Sequence, residues 1–199
     1  MIVASLASAK QEHLHGYVVV AAARSPWFVP KMPRTGAPFR VSCMNFGPLG
    51  WVSDARHGYH YSPTHPDVGG SWPPIPDMLL DLWREHVSGD PALAPECCLV
   101  NRYGRNGRLG MHVDADEPAG DVPVLSVSLG DDAVFRLGGL QRDDASRTIA
   151  LRSGDVLLLA GAERRCYHGV DRIVWRSSDL LGAGGGRLSF TLRRVTCAI

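Results

Sequence analysis

Two histidines and an aspartate stand as His112-x-Asp114 followed, far downstream, by His168. Two imidazoles and one carboxylate hold non-haem Fe(II) on one face and leave coordination positions free for oxygen and a co-substrate. The spacing works if residues 110 to 114 form a strand, because residues i and i+2 then point to the same side. His168 must arrive from another strand. A lone His-x-Asp triplet is a weak signal, and a second copy occurs at His65-Pro66-Asp67. That copy lies in a Pro- and Gly-rich stretch, residues 62 to 76, and reads as loop, since proline cannot donate to a ladder. It should lie away from any metal bound by the first.

A second constellation follows in Arg187-Leu188-Ser189-Phe190-Thr191-Leu192-Arg193. Its period-two alternation marks a strand with one apolar and one polar face. Two long arginines on one face could grip a small dicarboxylate, a task that suits guanidinium forks better than lysine. The competing reading is an exposed strand face with solvated arginines, and the residues alone leave both open.

Positioning these groups falls to a chain that reads as strands from residue 95 onward. Segments 97 to 103, 109 to 113, 122 to 129, 133 to 137, 148 to 151, 156 to 160, 166 to 168 and 187 to 195 are predicted strands. They are punctuated by turn residues such as Gly138-Gly139 and Ser153-Gly154-Asp155. Eight short strands imply a mostly β fold with flanking helices, a double-sheet jelly roll (double-stranded β-helix). A metal inside it would sit near one mouth, between the sheets. Upstream, residues 8 to 24 read as a helix ending before Ser25-Pro26, although Val18-Val19-Val20 keeps a strand open. Residues 39 to 46 read as a strand. Residues 47 to 75 form an irregular or hairpin-like region rich in aromatics: Trp51, Tyr59, Tyr61 and Trp72. Residues 76 to 87 carry Leu79, Trp83 and Val87 on one helical face, with Pro76 at the start and Gly89 past the end.

Composition bounds the function. The 199 residues suit one domain, 1–199, with a proper core. Net charge is +1, so no gross basic character points to nucleic acid, yet 19 of the 21 cations are Arg. They cluster at 102, 105 and 108, at 142, 147 and 152, and at 164 and 165. Such local patches can neutralise phosphates; an ordinary solvated loop is the alternative for each. Five cysteines, odd in number and without a C-x-x-C, suggest reduced, mostly buried thiols in a cytoplasmic protein. No signal peptide or membrane span is visible.

Several segments together carry a family resemblance. They are Asn101-Arg102-Tyr103, Leu109-Gly110-Met111-His112-Val113-Asp114-Ala115-Asp116-Glu117-Pro118, Pro123 to Gly130, Phe135 to Leu140, Ser153-Gly154-Asp155-Val156, Tyr167-His168-Gly169 and Arg187 to Arg193. With Leu49-Gly50-Trp51 and Gly58-Tyr59-His60-Tyr61-Ser62-Pro63 upstream, the chain resembles the AlkB family of Fe(II)- and 2-oxoglutarate-dependent nucleic-acid dealkylases, its bacterial members above all. The resemblance covers residues 39 to 195 and thins before Arg40. It implies a nucleotide-recognition lid at about 39–75 and a catalytic jelly roll of the 2-oxoglutarate/Fe(II) dioxygenase type at about 95–197.

The same resemblance implies roles. His112, Asp114 and His168 would be the catalytic iron ligands. Arg187 and Arg193 would bind the carboxylates of 2-oxoglutarate, helped by Asn101 and Tyr103. Trp51 and the ring of His112 would sandwich a flipped-out base, Asp116 would meet its Watson–Crick edge, and Tyr59, Tyr61 and Arg142 would complete the substrate site. Two positions depart from the family pattern. Ser189 stands where a co-substrate-touching Asn is usual, and Ala115 replaces a Lys beside Asp116. The implied reaction consumes molecular oxygen and 2-oxoglutarate and demethylates N-alkylated bases such as N1-methyladenine and N3-methylcytosine in single-stranded DNA, releasing formaldehyde. Double-stranded DNA and RNA are further possible partners, and the expected state is a monomer. Alternatives are an RNA or tRNA demethylase, an oxygenase acting on a substrate other than nucleic acid, and a jelly-roll binding module. On residue type alone, Trp51, Tyr59 and Tyr61 could be loop packing, Asp116 a turn residue and Arg142 merely exposed.

Overall fold

The computed structural model of the chain describes residues 1–197. Twelve strands and two α-helices follow in the order β1 (Ile2–Ser5), α1 (Ser8–Ala21), β2 (Ser42–Phe46), β3 (Gly50–Asp54), β4 (Gly58–Ser62), α2 (Asp77–His86), β5 (Cys97–Tyr103), β6 (Leu109–His112), β7 (Val124–Gly130), β8 (Asp132–Leu137), β9 (Arg147–Leu151), β10 (Asp155–Leu159), β11 (His168–Val174) and β12 (Arg187–Arg193). A six-stranded sheet runs β1-β10-β7-β12-β5-β2 and a four-stranded sheet runs β6-β11-β8-β9. The expected mostly β jelly roll with helices outside is the observed fold. All eight strands expected beyond residue 95 are present, but only β5 has the expected bounds; most ends shift by one or two residues, and β12 ends at Arg193 instead of Val195. β11 runs on to Val174 instead of stopping at His168, and β6 stops at His112, leaving Asp114 just beyond the strand end.

Alternation along the central strands sorts side chains into two cores. Leu188, Phe190 and Leu192 of β12 join Cys98, Val100, Leu125 and Val127 beneath the helices. The opposite face of the same sheet contributes Leu99, Tyr103, Val124 and Leu157 to a second core shared with Phe135, Leu137, Leu151 and Val170 of the smaller sheet. The polar face of β12 therefore looks into the space between the sheets. Arg187, Ser189 and Arg193 are buried there, and the solvated alternative for the arginines does not hold.

The helices seal the outer core. α1 buries Leu14, Val18 and Ala21, one narrow stripe at helical spacing, and ends three residues earlier than expected, followed by a turn that leads into Ser25-Pro26. The strand alternative for Val18-Val19-Val20 is thus excluded. α2 starts after Pro76 with Asp77 in its first turn and Arg84 and His86 in its last, a charge order that complements the helix dipole, and it buries Leu79, Leu82 and Trp83.

The sequence reading misses β1 entirely. Its four residues are largely exposed and it exists because it pairs with β10, Ile2 opposite Leu157. The aromatic region of residues 47 to 75 contains a true hairpin, β3–β4, with Trp51 opposite Tyr61 and Ser53 opposite Tyr59. Among the described residues no helix is long and apolar enough to cross a membrane. Cys43, Cys97 and Cys98 are buried free thiols, while Cys166 is half-buried and Cys197 exposed.

Candidate active site

β6 and β11 are antiparallel neighbours with His112 directly opposite His168. Their close approach depends on Gly169: a Cβ there would lie 2.6 Å from the Leu109 carbonyl oxygen. Asp114, one step past β6, completes a group whose donor atoms all lie within 4.8 Å of one another. Asp114 Oδ1 is 3.6 Å from His112 Nε2 and Oδ2 is 3.9 Å from His168 Nε2. Each imidazole is set by a backbone carbonyl, since His112 Nδ1 lies 2.9 Å from Gly110 O and His168 Nδ1 lies 3.0 Å from Cys166 O. A carbonyl can only accept, so each Nδ1 carries a proton and each Nε2 is left facing Asp114. Burial pulls the His168 imidazole down to about 4, outweighing the pull of Asp114, so it is neutral at ordinary pH. A neutral His168 imidazole beside an ionised carboxylate is the state a divalent metal requires. The donor set fits Fe(II).

Burial by itself raises the Asp114 carboxyl, but the adjacent Arg193 guanidinium and the two imidazoles outweigh it and hold the group well below the usual carboxylate range. Arg193 Nη2 donates to Asp114 Oδ2 at 2.9 Å, and its Nε lies 3.2 Å from Glu117 Oε1. Glu117 is itself a buried hub. Arg164 Nη2 donates to Glu117 Oε2 at 3.1 Å, Arg164 Nη1 to the Asp114 carbonyl at 2.9 Å, and the Tyr61 hydroxyl to Glu117 Oε1. Asp114, β12 and the hairpin strand β4 are thereby tied through one carboxylate. Sequence reading finds neither Glu117 nor Arg164. Glu117 lies within the recognised segment yet receives no role, and Arg164 reads as half of a basic pair, whereas it is 2% exposed and ion-paired.

Arg187 differs from its strand mate. Nη2 donates to Ser128 Oγ at 2.9 Å and the guanidinium lies 5.2 Å above the Tyr103 ring, yet Nε and Nη1 are buried without any partner. A buried cation with two unused donors has the chemistry to take an anion. Burial pulls its ionisation below the ordinary arginine range and pushes the Tyr103 phenol up to about 12. Asn101, Tyr103, Arg187 and Ser189 line a small cavity, about 50 Å³, that reaches His112, Asp114 and His168. Ser189 Oγ meets Ser126 Oγ at 3.2 Å. Two unsatisfied donors, a phenol and a serine pair beside a metal triad fit one carboxylate of 2-oxoglutarate with its other end toward the metal.

A larger cleft of about 470 Å³ opens on the other side of the triad. Its walls include Trp51 and Tyr59 from the hairpin, His112 and Asp114 from the triad, and the exposed Asp116 and Arg142 at its rim. Trp51 and Tyr59 stack at 5.6 Å with 24° between planes, and Phe39 meets Trp51 edge-on. The Trp51 indole N–H points to Asp116 Oδ2 at 3.2 Å. Arg142 lies 5.3 Å over the Tyr167 ring. Tyr61 sits behind these groups on Glu117. His65 lies apart, buried against Phe28 and Trp72 with Nε2 on the Pro26 carbonyl at 2.8 Å, as expected of the loop copy of the triplet.

Comparison with known proteins adds to this geometry. The profile of the 2OG-Fe(II) oxygenase superfamily matches residues 2–193. A protein of Caulobacter vibrioides (strain NA1000 / CB15N), an alpha-ketoglutarate-dependent dioxygenase AlkB homolog, is 49% identical over 180 residues, covering 90% of this chain and 80% of its own. The DNA N(6)-methyladenine demethylase ALKBH1A of Arabidopsis thaliana is 39% identical over 119 residues, 58% of this chain and 34% of its own. The solved structure of OsALKBH1 superposes with a TM-score of 0.79 at 28% identity, covering 95% of this chain and 93% of that one.

Proposed function

Because this chain belongs to the AlkB family of the 2OG-Fe(II) oxygenase superfamily, and is therefore an Fe(II)- and 2-oxoglutarate-dependent dioxygenase, we propose that its substrate is an N-alkylated base in nucleic acid, single-stranded DNA foremost. The observation that carries the reading is the cleft of about 470 Å³ with an aromatic wall on one side and the metal triad on the other. Aromatic faces accept any base, at about 1–3 kcal/mol per stacked base. A base within a duplex cannot reach such a cleft without unpairing, and lesions that already block pairing are the cheapest to extract.

In this reading His112, Asp114 and His168 hold Fe(II), and the bound metal with 2-oxoglutarate and oxygen supplies the oxidation of an N-methyl group that ends in formaldehyde. The chain's own residues do the rest. Arg187 takes a carboxylate of 2-oxoglutarate on its two free donors, with Tyr103, Asn101 and Ser189 closing around it. Arg193 holds Asp114 ionised and oriented, and offers its remaining buried donor, Nη1, to the co-substrate. Trp51 and the His112 ring flank the base, Asp116 accepts from its Watson–Crick edge, and Tyr59 and Arg142 meet the strand backbone. Tyr61 acts through Glu117 and steadies the hairpin against the triad.

Ser189 is shorter than the Asn it replaces and its hydroxyl already has Ser126 as a partner. A water can bridge the difference. The test is formaldehyde release from oligonucleotides carrying N1-methyladenine or N3-methylcytosine, as DNA and as RNA, with Fe(II), 2-oxoglutarate and ascorbate. Release from DNA is expected. Release from RNA alone would move the substrate to RNA, and release from neither, with 2-oxoglutarate still turned over, would refute the reading.

A further inference from the structure

A second group of metal-ligating side chains lies outside the site, at the tip of the β3–β4 hairpin. Asp54, His57 and His60 offer donor atoms that all lie within 4.8 Å of one another. They come from seven consecutive residues, Asp54-Ala55-Arg56-His57-Gly58-Tyr59-His60, folded back by a turn whose Gly58 has φ +71°. Asp54 pairs with Gly58 and Val52 with His60 across the hairpin, whereas Ser53 pairs with Tyr59 and Trp51 with Tyr61. Alternation therefore puts Asp54 and His60 on one face and the Trp51–Tyr59 stack on the other.

The three groups are already oriented. Asp54 Oδ1 accepts the backbone N–H groups of Arg56 at 2.8 Å and His57 at 2.7 Å, which fixes the carboxylate and leaves Oδ2 to face His57. Those contacts hold the Asp54 carboxyl down at about 2, ionised across the working range. His60 Nδ1 lies 3.2 Å from the Gly58 carbonyl, so Nδ1 carries the proton and Nε2 is the free donor, the same device that sets His112 and His168. His57 Nδ1 is 3.3 Å from Asp54 Oδ2. Donors held at about 2.0–2.2 Å in a tetrahedron stand about 3.3–3.6 Å apart, so this pair already has the separation of two ligands on one ion. The His57 and His60 rings meet edge to face at 5.3 Å. Asp54 and His57 are about half exposed, which leaves room for water as a fourth ligand.

We infer that Asp54, His57 and His60 form a second divalent-metal site for an ion of the zinc class, separate from the Fe(II) centre. Two imidazoles and one carboxylate suit Zn²⁺, Co²⁺ or Ni²⁺ better than Mg²⁺ or Ca²⁺. Metal binding replaces the His57 Nδ1 proton and links both strands of the hairpin across its turn. The consequence falls on the opposite face: the ion staples the turn that carries Tyr59 beside Trp51, so occupancy stiffens the aromatic wall of the cleft.

The test is titration of chelator-treated full-length protein with Co²⁺, followed by calorimetry and visible absorption. Two equivalents are expected for the unaltered protein and one for His57→Ala/His60→Ala. The complementary variant His112→Ala/His168→Ala should keep one. Either single change, His57→Ala or His60→Ala, should weaken the second equivalent about tenfold or more. A single equivalent in the unaltered protein, unaffected by the hairpin changes, overturns the inference. Should the His112 and His168 changes prevent folding, paramagnetic broadening of the His57 and His60 ring signals in the unaltered protein decides; sharp signals at two equivalents of Co²⁺ overturn it.

Discussion

Arg187 and Arg193 share one strand face and one motif, yet the structure predicts that replacing them has different effects. Arg187 is a fully buried cation with no anion in contact, so Arg187→Met removes an uncompensated charge. Replacing buried charge by a well-packed apolar side chain is worth about 1–4 kcal/mol in favourable cases. Against this stand the bond to Ser128, about 1 kcal/mol, and the contact with the Tyr103 ring, about 1 kcal/mol. The ligand-free variant should therefore fall between about 1 kcal/mol less stable and about 2 kcal/mol more stable than the parent. At about 2–4 °C per kcal/mol for a chain of this size, its Tm should drop by no more than about 4 °C. The response to 2-oxoglutarate should change far more. At a hundredfold excess over Kd the parent gains about 2.7 kcal/mol from the ligand. Losing a charge-assisted bond of about 1.5–3 kcal/mol raises Kd about ten- to a hundredfold, leaving a gain of only about 0.4–1.4 kcal/mol at the same concentration. Differential scanning fluorimetry with and without 2-oxoglutarate and a non-oxidising metal reads both quantities. A large Tm loss without ligand combined with an undiminished ligand shift would refute the reasoning, because Arg187 would then be a structural cation and not a receptor.

Arg193→Met should do the opposite in the ligand-free protein: it leaves Asp114 and Glu117 buried beside a lost partner, a change of about 3–5 kcal/mol, visible as a Tm lower by about 6–20 °C. Trp51→Ala should weaken binding to single-stranded DNA by about 1–3 kcal/mol in a fluorescence anisotropy titration, while 2-oxoglutarate turnover without nucleic acid stays near the parent rate; loss of metal binding instead would make Trp51 a packing residue. His65→Ala should lower stability by about 2–3 kcal/mol, through its hydrogen bonds with the Pro26 carbonyl and the Asp67 and Val68 backbone N–H groups and its aromatic contacts, with iron content unchanged by metal analysis; a drop in iron would mean the second His-x-Asp copy had been misread.

The strands beyond residue 95 were legible because buried antiparallel ladders impose period two on Leu99, Phe190 and their neighbours, and turn residues bound each run. What alternation could not tell is which face is wet. The polar side of β12 looks like a solvated surface in sequence and lies between two sheets in space, a fact set by the second sheet and not by β12. β1 was invisible for the related reason that its residues are mostly exposed, so its order comes from hydrogen bonds to β10 and leaves no apolar pattern. The clustering of His112, Asp114 and His168 could be anticipated from residue types, since only a few side chains can bind iron. The Glu117 hub could not, because a buried carboxylate is recognisable only by the two arginines that neutralise it, and Arg164 comes from a short 3-10 turn 47 residues away.

The order β1-β10-β7-β12-β5-β2 has a consequence for how the molecule is made. β12, the last strand in sequence among the described residues, lies in the interior of the larger sheet between β7 and β5. Until it emerges from the ribosome, β5 and β7 have a missing neighbour and two unpaired backbone edges, and β1 waits for β10, some 150 residues later. So non-local a topology folds slowly and exposes strand edges while it does. The same strand brings Arg193, so Asp114 lacks its guanidinium partner before the ladder closes. Sheet completion and site assembly are one event, and a nascent chain that stalls short of β12 presents neither a finished sheet nor the buried arginines between the sheets.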